Sequence, residues 1–99
     1  MSYATLRFLV VEDNEFQQRT LVRYLESMGA KNVCIAGEGA AALQVVQTAM
    51  PAIDIIICDV QMPGMDGMEF VRRLHEIRCR ASIILASGLE RRLLGSIAT

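Results

Sequence analysis

The chain has 99 residues, 53% of them hydrophobic, and a formal net charge of −1 at pH 7. This length predicts one small domain over residues 1–99, with enough apolar side chains for a core. The near-neutral charge argues against direct binding to nucleic acid or to an anionic membrane. The sequence shows neither an apolar run long enough to span a membrane nor a signal peptide. Three cysteines without metal-ligand spacing indicate structural thiols in a reducing, cytoplasmic compartment.

Strand and helix patterns alternate in the first half of the chain. A short apolar run predicts a strand over 7–11, which leads into an acidic turn. A helix is predicted over 15–28, and Gly29 ends it. A second strand follows over 32–36 and a second helix over 40–49. The apolar positions at helical spacing in the first helix are Phe16, Leu21, Val22, Leu25 and Met28.

The second half repeats the alternation. The run over 53–58 contains three consecutive Ile residues, which predicts a strand buried on both faces. A Pro- and Gly-containing loop leads to a third helix over 68–77, then a fourth strand over 82–86 and a fourth helix over 89–97. Four alternations with short connections predict a parallel sheet with helices on both faces. The expected buried stripe of the third helix is Phe70, Val71, Leu74 and Ile77.

Polar side chains follow three of the predicted strands. Glu12 and Asp13 follow the first strand, Asp59 the third, and Ser87 the fourth. Because parallel strands place their carboxyl ends at one edge of a sheet, we expect these groups to converge. Three neighbouring carboxylates repel one another unless a cation lies among them, and an all-oxygen donor set suits Mg²⁺. The pattern predicts phosphoryl transfer onto a carboxylate, with Asp59 as the nucleophile.

The sequence resembles the receiver domains of bacterial two-component response regulators. Three segments carry the resemblance in the right order and spacing: VVEDN at 10–14, DVQMPGMDG at 59–67 and ILASG at 84–88. Each segment alone is a weak signal, but their combination is specific and extends along the whole chain. The resemblance implies a flavodoxin-like α/β fold, a three-layer sandwich whose parallel strands have the order 2-1-3-4.

The resemblance also implies a role for each site residue. Asp59 would accept a phosphoryl group from a sensor histidine kinase or a phosphotransfer protein. Asp13, Asp59 and the backbone carbonyl of Gln61 would bind Mg²⁺, and Glu12 would assist through a water molecule. Ser87 would be the hydroxyl that moves towards the phosphoryl group. The chain would be a signalling switch more than an enzyme, although the family assists its own phosphorylation and dephosphorylation.

The sequence departs from the family at its carboxyl end. Receivers have a fifth helix and a fifth strand that begins with an active-site Lys, so we expect this domain to be incomplete at its C-terminus. Lys31, the only Lys, precedes the second strand, at the opposite end of the sheet from Asp59. The phosphoryl group would then lose a charge-assisted partner worth about 1.5–3 kcal/mol. The fourth strand would be a bare apolar edge, so dimerisation through 83–86 and the last helix is expected.

Two other functions are compatible with parts of the sequence. The domain could keep the receiver fold yet act only as a docking or dimerisation module without phosphorylation. The segment GEGAAA at 37–42 matches a dinucleotide-binding fingerprint, but it follows the second strand and leaves the acidic residues unexplained. Segment 87–94 resembles receivers joined to cyclic-dinucleotide phosphodiesterase domains, so such an output domain is one possible partner.

Several polar residues have simpler structural interpretations. Taken alone, Glu12 and Asp13 are also residues that favour a helix N-terminus. Asp54 and Asp66 are predicted to be a strand-start residue and a turn residue. The one His, His75, is expected on the exposed face of the third helix.

Overall fold

A computed structural model describes residues 3–58 and 67–85 of the chain. Within these residues the strands are β1 (Arg7–Val11), β2 (Asn32–Ala36), β3 (Ile55–Cys58) and β4 (Ser82–Leu85). The helices are α1 (Glu15–Ser27), α2 (Gly39–Thr48) and α3 (Gly67–Glu76), preceded by a short 3₁₀ turn over Tyr3–Thr5. The strands form one parallel sheet in the order β2-β1-β3-β4. The predicted alternation, parallel sheet and strand order are therefore confirmed.

The register of the sheet brings the strand ends together. Val11 of β1 is paired with Ala36 of β2 and with Cys58 of β3, and Cys58 is paired with Leu85 of β4. Adjacent strands lie about 4.8 Å apart in a sheet. The chain therefore leaves β1, β3 and β4 at neighbouring points of the same edge, which we call the carboxyl edge.

Side chains of β1 and β3 alternate between two apolar layers. Leu9 and Ile56 lie in a buried cluster with Phe70 and Leu74 of α3, to which Ala42 of α2 also belongs. The opposite face contributes a second cluster, whose buried members are Phe8, Val10, Leu21, Leu25, Ala30 and Ile57. Since α2 and α3 pack on one face and α1 on the other, the described part of the chain is a three-layer α/β sandwich.

The third strand begins two residues later than predicted. The backbone N–H of Arg7 donates to the Asp54 carboxylate at 2.8 Å. In a regular β-sheet this N–H would donate to a backbone carbonyl of the neighbouring strand. Asp54 also donates its own N–H to the Arg7 carbonyl at 2.8 Å and accepts from the Ser82 N–H at 2.9 Å. The regular strand starts at Ile55, and the predicted structural role of Asp54 is confirmed.

Two of the apolar helix positions named in the sequence analysis are exposed, and for Ile77 the predicted burial is wrong. Phe16 is 72% exposed, because it lies five positions before the buried Leu21, an offset that rotates it by about 140° from that side of the helix. Ile77 is 36% exposed, because α3 ends at Glu76 and Ile77 belongs to the turn that follows.

Among the other predictions, α2 and α3 each begin and end one residue earlier than predicted, and His75 is exposed as expected. The loop 59–66, Ala86 and the helix predicted over 89–97 lie outside the described residues.

The three cysteines have the structural character predicted for them. Cys58 is buried within β3, while Cys34 and Cys79 are partly buried and pack against the cluster that contains Phe70. All three are free thiols. None of the helices within 3–58 and 67–85 combines the length and the apolar character that crossing a membrane requires.

Helices α1 and α3 end in the same hydrogen-bonded motif but with different residues. After α1, Gly29 has φ 100°, its N–H donates to the Glu26 carbonyl, and the next N–H donates to Leu25. After α3, Arg78 takes the equivalent place with φ 58°, and the N–H groups of Arg78 and Cys79 donate to His75 and Leu74. The left-handed conformation at this position suits Gly and costs about 1–2 kcal/mol for other residues.

Exchanging residues at these two helix ends is expected to change stability in opposite directions. Arg78→Gly should raise the free energy of unfolding by about 1 kcal/mol, because Gly relieves the left-handed backbone. Gly29→Ala should lower it by about 1 kcal/mol through the backbone alone, since a Cβ at this position has nothing within 4 Å. Urea unfolding measures both values, and a destabilised Arg78→Gly protein would contradict the backbone argument.

Candidate functional site at the carboxyl edge

Glu12 continues β1 beyond its last residue and turns its carboxylate inward. The Glu12 N–H donates to the Ala36 carbonyl at 3.0 Å, which extends the pairing with β2 by one bond. Glu12 is 3% exposed, and within residues 3–58 and 67–85 it is the only charged residue that is buried. Burying a carboxylate is costly unless hydrogen bonds or a cation compensate the charge, so its place at the sheet edge indicates a function.

The turn after Glu12 holds this carboxylate in place. The Asn14 N–H donates to the Glu12 Oε2 at 3.2 Å, and the side-chain amide of Gln18 donates to the Glu12 backbone carbonyl. Asn14 is itself the N-cap of α1, because its side-chain oxygen accepts from the Gln17 N–H at 3.0 Å. The capping role suggested for Glu12 and Asp13 therefore belongs to Asn14 instead.

Asp13 lies between Glu12 and the cap with its side chain exposed to solvent. It directly follows Glu12, so both acidic residues come immediately after β1, at the carboxyl edge. Within the described residues, no hydrogen bond or ion pair occupies the Asp13 carboxylate. An exposed carboxylate beside a buried one has oxygen available for an external cation or ligand.

The other predicted site residues, Asp59, Gln61 and Ser87, lie outside the described residues. The structure does describe the strands that precede them. Because Val11 is paired with Cys58 and Cys58 with Leu85, the strands that precede Asp59 and Ser87 end at the same edge as the strand that precedes Glu12. The convergence of Asp59 and Ser87 with Glu12 and Asp13 stays a prediction, and the register supports it. No group of three acidic, His or Cys side chains suited to a metal occurs among residues 3–58 and 67–85.

Lys31 occupies the opposite edge of the sheet. It immediately precedes Asn32, the first residue of β2, whereas Glu12 follows the last residue of β1. Its placement was predicted correctly. The GEGAAA segment likewise lies where expected: it follows β2, not the first strand of the chain, and its last four residues form the first turn of α2, which begins at Gly39.

Two residues that organise the site were missed in the sequence. Asn14 followed by Gln17 has the spacing of a helix-capping signal and could have been recognised from it. The Gln18 amide had no comparable signal, because its bond to Glu12 joins residues six positions apart through the geometry of the turn.

Comparison with known proteins supports the resemblance to receiver domains that the sequence motifs indicate. The model of the response regulator receiver domain family matches residues 8–93. The cyclic di-GMP phosphodiesterase RocR of Pseudomonas aeruginosa is 34% identical over 85 residues, covering 86% of this chain and 21% of RocR. Chemotaxis protein CheY of Treponema pallidum is 28% identical over 86 residues, covering 87% of this chain and 60% of that protein.

A solved structure extends the likeness to three dimensions. A chain of the CheX–CheY–BeF₃–Mg²⁺ complex from Borrelia burgdorferi is similar with a TM-score of 0.76 and 29% identity, covering 84% of this chain and 63% of that chain. The fold, the acidic edge and the family match together define the class: the chain belongs to the response regulator receiver domains. These are components of two-component phosphorelay signalling, and the dinucleotide-binding interpretation is not favoured. The chain spans 21% of the length of RocR and 60% of that of the Treponema CheY.

Proposed function

We propose that this receiver domain is a phosphoacceptor switch in which Asp59 receives a phosphoryl group from a histidine kinase or a phosphotransfer protein. The single observation that carries the proposal is the buried Glu12 carboxylate beside Asp13, at the edge where β1, β3 and β4 end in register. Glu12 and Asp13 follow the end of β1, which is paired with Cys58, the residue before Asp59 in the sequence.

The donor set at this edge fits Mg²⁺. Asp13 and Asp59 would bind the ion together with the backbone carbonyl of Gln61, and Glu12 would assist through a water molecule. These are all oxygen donors, which Mg²⁺ prefers. Of the two described residues, Asp13 is exposed, as a direct ligand requires, and Glu12 is buried. When bound, the ion would compensate negative charge among the carboxylates and the phosphoryl oxygens.

The chain's own residues supply the remaining steps. A carboxylate oxygen of Asp59 attacks phosphorus, an O–P bond forms, and the N–P bond to the donor imidazole breaks. The electron pair of that bond stays on the imidazole nitrogen, which takes up a proton from solvent. The negative charge of the attacking carboxylate is retained within the acyl phosphate. The Ser87 hydroxyl then donates a hydrogen bond to a phosphoryl oxygen. Its movement towards that oxygen would couple phosphorylation to the segment after β4.

Beryllofluoride with Mg²⁺ tests the proposal, because it mimics a phosphoryl group on a carboxylate. The chain has no Trp, so ¹⁹F NMR is the suitable readout: bound beryllofluoride should give signals distinct from free reagent. Absence of binding at millimolar reagent would instead support the unphosphorylated docking module.

Asp13→Asn should raise the Mg²⁺ concentration needed for half-maximal beryllofluoride binding by at least about tenfold. Outer partners of metal ligands already contribute this much, and Asp13 is proposed as a direct ligand. Glu15→Gln is the matched control, because Glu15 lies nearby in the first turn of α1 and forms a surface pair with Arg19 at 3.8 Å. Equal Mg²⁺ dependence in both variants would remove Asp13 from the metal site.

An attached output domain is part of the proposal. RocR is named as a cyclic di-GMP phosphodiesterase, and the present chain matches 21% of its length. We therefore propose that phosphorylation at Asp59 controls an output function carried elsewhere in the protein, with cyclic-dinucleotide hydrolysis as one example.

We further propose that the domain dimerises through residues 83–86 and the segment that follows. Among the described strands β4 is at one edge of the sheet, and Ile84 is 46% exposed. An apolar edge strand is a template for pairing with another chain. Sedimentation should show a dimer at micromolar concentration that Ile84→Lys converts to monomer, with Ile35→Lys on the opposite edge strand as the control. A wild-type monomer under these conditions would contradict the proposal.

A further inference from the structure

A cleft opens at the amino edge of the sheet, at the opposite end from Glu12. It has a volume of about 400 Å³ and lies between the last turn of α2 and the turn that follows α3. This volume lies within the ordinary range of small-molecule sites. The residues on which the argument rests are Val46, Gln47, Ile53, Ile77, Arg78 and Arg80.

The charged groups of the cleft are of one sign. Arg78 and Arg80 both line it and are exposed, and no carboxylate is among its described lining residues. Neither Arg takes part in an ion pair within the described residues, whereas Arg72 and Arg73 of the preceding helix both pair with Glu69. The cleft therefore presents two guanidinium groups whose charge the described residues do not neutralise.

The residue type at position 78 adds to this observation. The hydrogen-bonded motif that ends α3 requires a left-handed backbone there, and Arg78 has φ 58° where Gly29 serves after α1. The helix end therefore explains the conformation but not the choice of Arg, which carries a backbone cost that Gly would avoid. The side chain that Gly would lack is one that lines the cleft.

We propose that this cleft binds a small organic oxyanion, a phosphate or carboxylate carried on an apolar body. Arg78 and Arg80 would hold the oxyanion through charge-assisted hydrogen bonds. The side-chain amide of Gln47 would add a neutral donor, and Val46 with Ile53 would contact the apolar body. The site is separate from the phosphoacceptor edge, so its occupancy and phosphorylation do not compete for the same atoms.

Phenylphosphonate is a suitable probe, because its phosphorus–carbon bond prevents phosphoryl transfer to Asp59. Titration of the ¹⁵N-labelled protein without Mg²⁺ should shift the amide signals of residues 46–53 and 77–80, with a dissociation constant of about 1–10 mM for a ligand of this size. Methylphosphonate, which lacks the ring, should bind more weakly. Benzoate tests which oxyanion the cleft prefers. Stronger binding of benzoate than of phenylphosphonate would indicate a carboxylate ligand, and weaker binding would indicate a phosphate. No localised shift with either aromatic anion would overturn the proposal.

Arg78→Gly separates a binding role from a structural one. It should weaken phenylphosphonate binding by at least about tenfold while the melting temperature rises by about 4–8 °C. Arg80→Gln should also weaken binding, and it leaves the backbone of residue 78 unchanged. Arg72→Gln is the matched control, since Arg72 is an exposed Arg of α3 that does not line the cleft. Unchanged affinity in both Arg78→Gly and Arg80→Gln would overturn the assignment.

Discussion

Asp59→Asn is expected to abolish phosphoryl acceptance. The amide keeps the size of the side chain but has no anionic oxygen to attack phosphorus, and it removes one proposed Mg²⁺ ligand. The wild-type domain, incubated with Mg²⁺ and a small phosphodonor such as acetyl phosphate, should gain a single acid-stable, base-labile phosphoryl group by intact-protein mass spectrometry. In Asp59→Asn the modified species should fall below detection.

Asp54→Asn is the matched control for this experiment. Asp54 belongs to the same segment of the chain but lies at the amino edge, where its carboxylate accepts the Arg7 N–H at 2.8 Å. The amide oxygen of Asn can still accept that bond, so fold and phosphorylation should both be retained. Labelling that persists in Asp59→Asn, or disappears in Asp54→Asn, would contradict the assignment of Asp59.

Phe70→Ala should cost about 3–5 kcal/mol of unfolding free energy. Phe70 is fully buried in α3, where it packs in the cluster that contains Leu9, Ile56 and Leu74. Truncation removes the transfer free energy of the ring and leaves a cavity between α3 and the sheet. Domains of this size are commonly stable by only about 5–15 kcal/mol, so the variant should be largely unfolded at mild urea concentrations.

The same substitution at Phe16 should be nearly neutral, within about 0.5 kcal/mol. Phe16 is 72% exposed in the first turn of α1, and Ala is a better helix former than Phe. Urea unfolding followed by circular dichroism compares the two variants directly. Equal destabilisation by the two Phe→Ala changes would mean that the burial of these rings is assigned incorrectly.

Prediction from sequence failed where the spacing of apolar residues along a helix does not match the tertiary packing of that helix. Phe16 and Leu21 both fit an apolar helix pattern, but only Leu21 faces Phe8 and Val10 across the sheet surface. Ile77 continues the apolar spacing of α3, yet the helix ends before it. Hydrophobicity along the chain does not show where a helix ends or how it is rotated against the sheet, because packing with distant residues determines both.

Some features of the candidate site could likewise be predicted from the sequence, and others could not. Asp13 and Asp59 are predicted as site residues because acidic residues directly follow apolar runs, and parallel strands bring such positions to one edge. The capping bond of Asn14 and the Gln18 contact to Glu12 depend on the path of the turn after β1. The amino-edge cleft was not foreseen, since Arg78 and Gln47 become neighbours of one cavity only when α2 and α3 pack side by side.

Sequence by itself determined the alternation of strands and helices, the family, and the acidic residues that follow the strands. These are properties of local composition and short spacing, which the chain carries before it folds. Tertiary structure decided which apolar residues are buried, which side chain caps α1, how Asp54 joins β1 to the start of β3, and where two arginines line a common cleft. The physical reason is that burial and side-chain hydrogen bonds depend on contacts between distant segments, and those contacts exist only in the packed sandwich.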